Sequence, residues 1–155
     1  MKIKAPILAA LGLSLFFLQA CLKDDSDTIV VSKEEILTHH AWKIEELNQV
    51  ENNAQIYYKR GGLSNTNDLD DDKITFLADG TGSYSPTPAE NYNITWEFTD
   101  ASKIKMDIVI TFSPSLITTL KCTELELTQR RFFCVANYVN ASNQPVLATV
   151  YRTPL

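Results

Sequence analysis

Residues 72–98, DKITFLADGTGSYSPTPAENYNITWEF, decide the fold because they combine a hairpin turn with an alternating strand. The turn is Ala78-Asp79-Gly80. A two-residue Asp-Gly loop would place Phe76 and Tyr84 on opposite faces of the hairpin, whereas a three-residue loop with Gly80 in the left-handed conformation places them on one face. We adopt the three-residue loop, which predicts one inward face formed by Ile74, Phe76, Gly82 and Tyr84.

The second half of this stretch alternates between apolar and polar side chains, which is typical of a strand with one buried face. Its apolar positions are Tyr92, Ile94, Trp96 and Phe98. Residues 72–98 therefore predict a β-meander.

The flanking segments add one helix and more strands. Ser32-Lys33-Glu34-Glu35 has the spacing of a helix-capping box, so we expect a short helix over residues 33–40, and Trp42 then opens the first strand. Further strands are predicted at 54–59, 104–112, 132–139 and 146–152. The segment between the strand at 54–59 and residue 72 is predicted to be a long polar loop. No helix is long enough for a crossover, so the eight or nine strands must pair antiparallel and the fold is mainly β.

The first residues form a separate unit. Lys2 and Lys4 precede an apolar run that ends in Leu18-Gln19-Ala20-Cys21, the pattern of a bacterial lipoprotein signal with its lipobox. The alternative, a membrane-spanning or buried helix, is disfavoured because the run is shorter than the ~20 residues of a span. We therefore predict a signal peptide at 1–20, a lipidated Cys21 at the head of an acidic tether over 21–31, and one domain at 32–155.

The negative net charge of the chain bears on the kinds of molecule it can bind. Without Lys2 and Lys4, the formal net charge of −5 becomes −7, so nucleic acid is not an expected partner. Acyl chains on Cys21 are the membrane anchor that the sequence predicts, because two or more chains hold a protein stably on a bilayer.

Several structural motifs together resemble the lipocalin-like lipoproteins of the Bacteroidetes. They are the short helix, Trp42 at the start of the first strand, residues 72–81, the Trp96 strand, and Ile117-Thr118-Thr119-Leu120 with Glu124-Leu125-Glu126-Leu127. The resemblance covers residues 31–155, and it implies a lipid-anchored, lipocalin-like antiparallel up-and-down β-barrel of about eight strands. His40-Ala41-Trp42 differs from the Gly-x-Trp that opens the lipocalin pattern.

Two short N-terminal motifs fit this resemblance. Lys23-Asp24-Asp25 resembles the signal that sends outer-membrane lipoproteins of this phylum to the cell surface, and a solvated acidic tether is the alternative. Thr28, within Asp27-Thr28-Ile29, resembles its O-glycosylation site. The expected location is the outer membrane, exposed on the cell surface, with the periplasmic face as the alternative.

The interior of an eight-stranded barrel is either nearly filled by side chains or holds one small ligand. Both possibilities stay open, and we favour the packed interior. The candidates for packing it, or for lining a ligand site, are Trp42, Phe76, Tyr84, Tyr92, Trp96, Met106 and Phe112.

No catalytic motif is present in the sequence, so we expect neither an enzyme nor a cofactor. The acidic cluster Asp68, Asp70, Asp71 and Asp72 resembles the first half of a calcium loop, but Lys73 stands where the turn glycine belongs and no Glu occupies the twelfth position, so we predict a solvated loop and no metal. With Cys21 lipidated, Cys122 and Cys134 remain as either a disulfide or two small buried hydrophobes.

Two kinds of function remain. A noncatalytic binding module of the envelope would take a small apolar ligand into the barrel, as a lipocalin-type carrier does, or an envelope protein on its rim. A packed accessory subunit would instead have a filled interior and an exposed apolar patch. The volume and lining of the barrel interior distinguish the two.

Overall fold

The computed structural model describes residues 31–51 and 53–155. Within them lie one helix and nine strands, and every strand pair is antiparallel, which confirms a mainly β fold with one short helix. The elements are α1 (Lys33–His39), β1 (Ala41–Glu51), β2 (Ala54–Lys59), β3 (Lys73–Phe76), β4 (Thr81–Ser85), β5 (Tyr92–Phe98), β6 (Met106–Ser113), β7 (Leu116–Thr128), β8 (Arg131–Val139) and β9 (Pro145–Pro154).

Eight of these strands close into a barrel. Strands β3 to β9 are neighbours in chain order, and β1 closes the ring by pairing with β9 on one side and with β3 on the other. The ninth strand, β2, pairs with the second half of β1 and is not one of the eight strands that form the closed ring. Closure pairs the backbone edges of the eight strands with one another, which removes the exposed edge of an open sheet.

The hairpin of β3 and β4 has the predicted three-residue loop. Gly80 has a φ of 82°, and its N–H donates to the carbonyl of Leu77 at 3.2 Å. In the register, Ile74 lies opposite Tyr84 and Phe76 opposite Gly82, which confirms the predicted inward face. A Cβ at Gly82 would lie 2.1 Å from the carbonyl oxygen of Thr75, so glycine is required there.

Helix α1 covers one end of the barrel. Its start follows the prediction, since the N–H of Glu35 donates to Ser32 Oγ at 3.1 Å. Leu37 is fully buried, and the indole Nε1 of Trp42 donates to its carbonyl at 2.9 Å. The helix is thereby fixed to the first residues of β1.

The strand predicted at 104–112 begins later, at Met106, and Ile104 lies outside it with an exposed side chain. Asp100 Oδ1 accepts hydrogen bonds from the N–H groups of Ile104 and Lys105, so these amides belong to the preceding turn rather than to a ladder.

Strand β7 contains a β-bulge where it pairs with β8. Glu124 has a φ of 53°, and the register shifts between Thr123 and Glu126.

Candidate functional site

The half of the barrel next to α1 is filled with large side chains, and we call it the packed half. Trp42, Phe76 and Met106 are fully buried there, and Trp96 is nearly so. The rings of Phe76 and Phe132 stack with their centroids 6.0 Å apart, and Trp96 meets Phe76 edge to face at 5.9 Å. This half therefore has a continuous aromatic core.

The opposite half contains a cavity of about 400 Å³, and we call it the open half; residues of the β6–β7 and β8–β9 hairpins and of the segment before β3 help to line the cavity. Its walls are mainly aliphatic and include Ile44, Leu47, Ile74, Ile110, Leu120 and Val150. The volume lies within the ~300–1,000 Å³ of small-molecule sites, which are typically apolar with a few polar groups.

The seven interior candidates divide between the two halves. Those of the packed half are Trp42, Phe76, Trp96 and Met106. Tyr84 and Phe112 line the cavity, and Tyr92 packs against the ring of Phe112 at 4.9 Å. The interior is thus neither packed throughout, as we favoured from the sequence, nor hollow throughout.

A buried ion pair forms the floor of the cavity. Arg152 Nη1 lies 2.6 Å from Asp72 Oδ1, and both residues line the cavity although Asp72 is only 2% and Arg152 only 8% exposed. Nη1 also donates to the carbonyl of Trp42 at 3.3 Å, so the guanidinium is tied to the packed half. Charges this deeply buried are tolerated because they are paired.

Tyr84 completes the floor. Its hydroxyl donates to Asp72 Oδ2 at 2.8 Å. Burial raises the pKa of Tyr84, and the negative charge of Asp72 raises it further, so the phenol keeps its proton and stays a donor.

The acidic loop is solvated as expected at Asp68, Asp70 and Asp71, which are exposed, although Asp70 Oδ1 also accepts from the hydroxyl of Tyr58 at 2.5 Å. Asp72 is the exception, and its burial corrects the expectation at that position. The signal was present in the sequence, because Asp72 precedes Ile74 by two positions and shares its inward face. Arg152 was missed because nothing local in the final strand marks it as a partner of Asp72.

Among residues 31–51 and 53–155, no three His, Cys, Asp or Glu side chains come together in a way that would hold a metal ion. The carboxylates of the acidic loop point to different partners instead. Asp68 accepts from the amide of Asp70, and Asp72 faces Arg152.

Cys122 and Cys134 are free, buried thiols in the structure, so the two small buried hydrophobes are found in place of the disulfide. Cys122 lies opposite Ala136 in the β7–β8 ladder, which makes Cys134 its diagonal neighbour. A hydrogen bond with Cys134 and burial both raise the pKa of the Cys122 thiol. Such a thiol is protonated and unreactive in the folded protein.

The N-terminal predictions lie outside the described residues. They are the signal peptide at 1–20, the lipidated Cys21, the export motif Lys23, Asp24 and Asp25, and the glycosylation site Thr28. In the part of the chain that the structure describes, the helix is too short to cross a membrane.

Fold and cavity together define a closed antiparallel β-barrel with one packed half and one open half. Comparison of the chain with protein-family models and with curated proteins gives no match. The site itself therefore carries the argument for function.

Proposed function

We propose that this protein is a noncatalytic binding module of the bacterial cell envelope that takes a small, largely apolar ligand into the open half of its barrel. The observation that carries the proposal is the cavity of about 400 Å³ with aliphatic walls. A closed barrel can supply such a space and still keep a core, because the large aromatic side chains pack together in the other half.

The apolar walls supply the affinity. Each methylene group moved from water into the cavity contributes about 0.8 kcal/mol, so about ten of them contribute about 8 kcal/mol, from which the cost of association is subtracted. Residues with strong nucleophiles or acid–base pairs facing a substrate would point to catalysis instead, but the ionisable pair of the floor, Asp72 and Arg152, is neutralised internally. Binding without chemical conversion fits this lining best.

The proposal includes a lipid anchor and a lipocalin-like up-and-down topology. Two features support the topology: each strand from β3 to β9 pairs with the next one along the chain, and β1 closes the barrel by pairing with β9. Support for the anchor comes from the lipobox that ends at Cys21. We place the protein in the outer membrane with its barrel on the cell surface.

Ligand binding is tested with a soluble form of the chain in which Cys21 is replaced by Ala. An environment-sensitive apolar dye should bind saturably and raise the melting temperature, because a ligand that binds only the native state stabilises it. Competition between the dye and short-chain hydrocarbons then measures affinity for unlabelled compounds. A dye that neither saturates nor changes the melting temperature contradicts the proposal.

The anchor is tested separately in cells. Cys21→Ala should move the protein from the membrane fraction to the soluble fraction, and the joint replacement of Lys23, Asp24 and Asp25 by Ala should leave it in the membrane but shield it from added protease. A Cys21→Ala variant that stays in the membrane contradicts lipidation. Unchanged protease access contradicts the export motif.

A further inference from the structure

The floor of the cavity holds hydrogen-bond donors that the protein does not use. Nη1 of Arg152 is engaged with Trp42 and Asp72, whereas Nε and Nη2 make no hydrogen bond to any residue of 31–51 or 53–155. Arg152 is 92% buried, and the cavity is the space that its side chain borders. Neither Nε nor Nη2 is among the fully buried polar atoms of residues 31–51 and 53–155 that lack a partner, so both keep access to the cavity. A ligand that fills the cavity removes water from these two donors, so they favour a ligand that supplies an acceptor.

The charge of the lining excludes one class of acceptor. Among the residues that line the cavity, Asp72 is the acid and Arg152 the base, and they are paired with each other. A carboxylate ligand at the floor would add a second negative charge beside Asp72, with no further cation to balance it. Carrying that charge into an apolar cavity is far more costly than carrying a neutral carbonyl or hydroxyl.

From this arrangement we infer that the ligand is an uncharged amphiphile whose buried end carries a neutral oxygen acceptor, a carbonyl or a hydroxyl, that accepts a hydrogen bond from Arg152. Its hydrocarbon part lies along the aliphatic walls. This inference rests on the proposed binding function and specifies the chemical class of the ligand.

Matched ligands of one chain length test the inference in the wild-type protein. The ten-carbon compounds 2-decanone, decanol and decanoate compete for a bound apolar dye at about pH 8, where decanoate is ionised. We expect the ketone and the alcohol to bind at least about tenfold more tightly than decanoate. Equal or tighter binding of decanoate overturns the inference and leaves the proposed function intact, whereas failure of every probe, the dye included, overturns both.

Asp72→Asn provides a gain-of-function test. The substitution leaves Arg152 without its counter-ion, so an anionic ligand now supplies the missing charge, and the affinity for decanoate should rise at least about tenfold. The matched control is Asp71→Asn, which removes the same charge from the exposed neighbouring position and should leave the affinity for decanoate unchanged. A decanoate affinity that is the same in Asp72→Asn and in the control overturns the inference. If Asp72→Asn is unfolded without a ligand, decanoate but not the ketone should restore its melting transition. Restoration by neither compound overturns the inference.

Discussion

Arg152 Nη1 lies 2.6 Å from Asp72 Oδ1 at the level where the aromatic core of the barrel gives way to the cavity. The pair joins β9 to the residue that precedes β3, two segments that do not pair with each other in the sheet. Because it is buried, charged and tied to Tyr84 and to the Trp42 carbonyl, it fixes the position of the cavity floor.

Removal of one partner of this pair should destabilise the protein strongly. Arg152→Met leaves Asp72 as an unpaired buried carboxylate, which costs about 3–5 kcal/mol of the free energy of unfolding. The double variant Asp72→Leu with Arg152→Met should recover most of that loss, because no unpaired charge remains. Urea unfolding of the two single variants and the double variant measures the coupling, and additive losses would show that the pair does not interact as described.

The two halves of the barrel should respond differently to truncation of an aromatic side chain. Trp96→Ala removes a packed indole whose Nε1 donates to two carbonyls, so we expect a loss of about 3–5 kcal/mol in the free energy of unfolding. Phe112→Ala enlarges a space that already exists, so its loss should be well under that of Trp96→Ala. Equal losses in urea unfolding would mean that the interior is uniformly packed.

Ionisation of Tyr84 should lower the free energy of unfolding at alkaline pH. The pKa of its phenol is raised by burial in the folded protein, whereas the unfolded chain ionises near the ordinary value of about 10. Stabilisation is therefore complete below about pH 10 and declines above it, since the unfolded state then binds fewer protons. Unfolding experiments between about pH 9 and about pH 11 should show a shallower decline for Tyr84→Phe than for the wild type. Identical slopes would exclude Tyr84 from the effect.

The state of the cysteines is accessible to a thiol count. In a Cys21→Ala form kept without reductant, we expect two reactive thiols per chain after unfolding and almost none before it, because Cys122 and Cys134 are buried as free thiols. The absence of reactive thiols in the unfolded, unreduced chain would show that the pair is bridged instead.

Much of the fold could be predicted because it depends on local rules. The loop that ends at Gly80 determines the register of its hairpin, and the alternation through Trp96 determines which side chains of β5 face inward. The cap at Ser32 determines where α1 begins. Strand ends were less predictable. Ile104 continues the apolar alternation, but the side chain of Asp100 captures its amide for a turn.

The candidate site could be predicted only in part, because it depends on contacts between distant segments. The inward direction of Tyr84 and Phe112 follows from alternation. Whether the space between such side chains is filled depends on the sum of all inward volumes, and small residues such as Ala136 and Ala148 leave room in one half only. The partnership of Asp72 with Arg152 has no local signal, because alternation can show that a residue faces inward but not which distant segment it meets.

The most direct test of the account is to fill the cavity and measure binding of the apolar dye. Ala148 is buried and lines the cavity, while its neighbour Thr149 is exposed on the outer face of the same strand, so Ala148→Trp and Thr149→Trp add the same side chain to opposite faces. We expect Ala148→Trp to remain folded and to lose dye binding, and Thr149→Trp to bind as the wild type does. Undiminished dye binding by a folded Ala148→Trp variant would contradict the account, because the ligand would then bind somewhere other than the open half of the barrel.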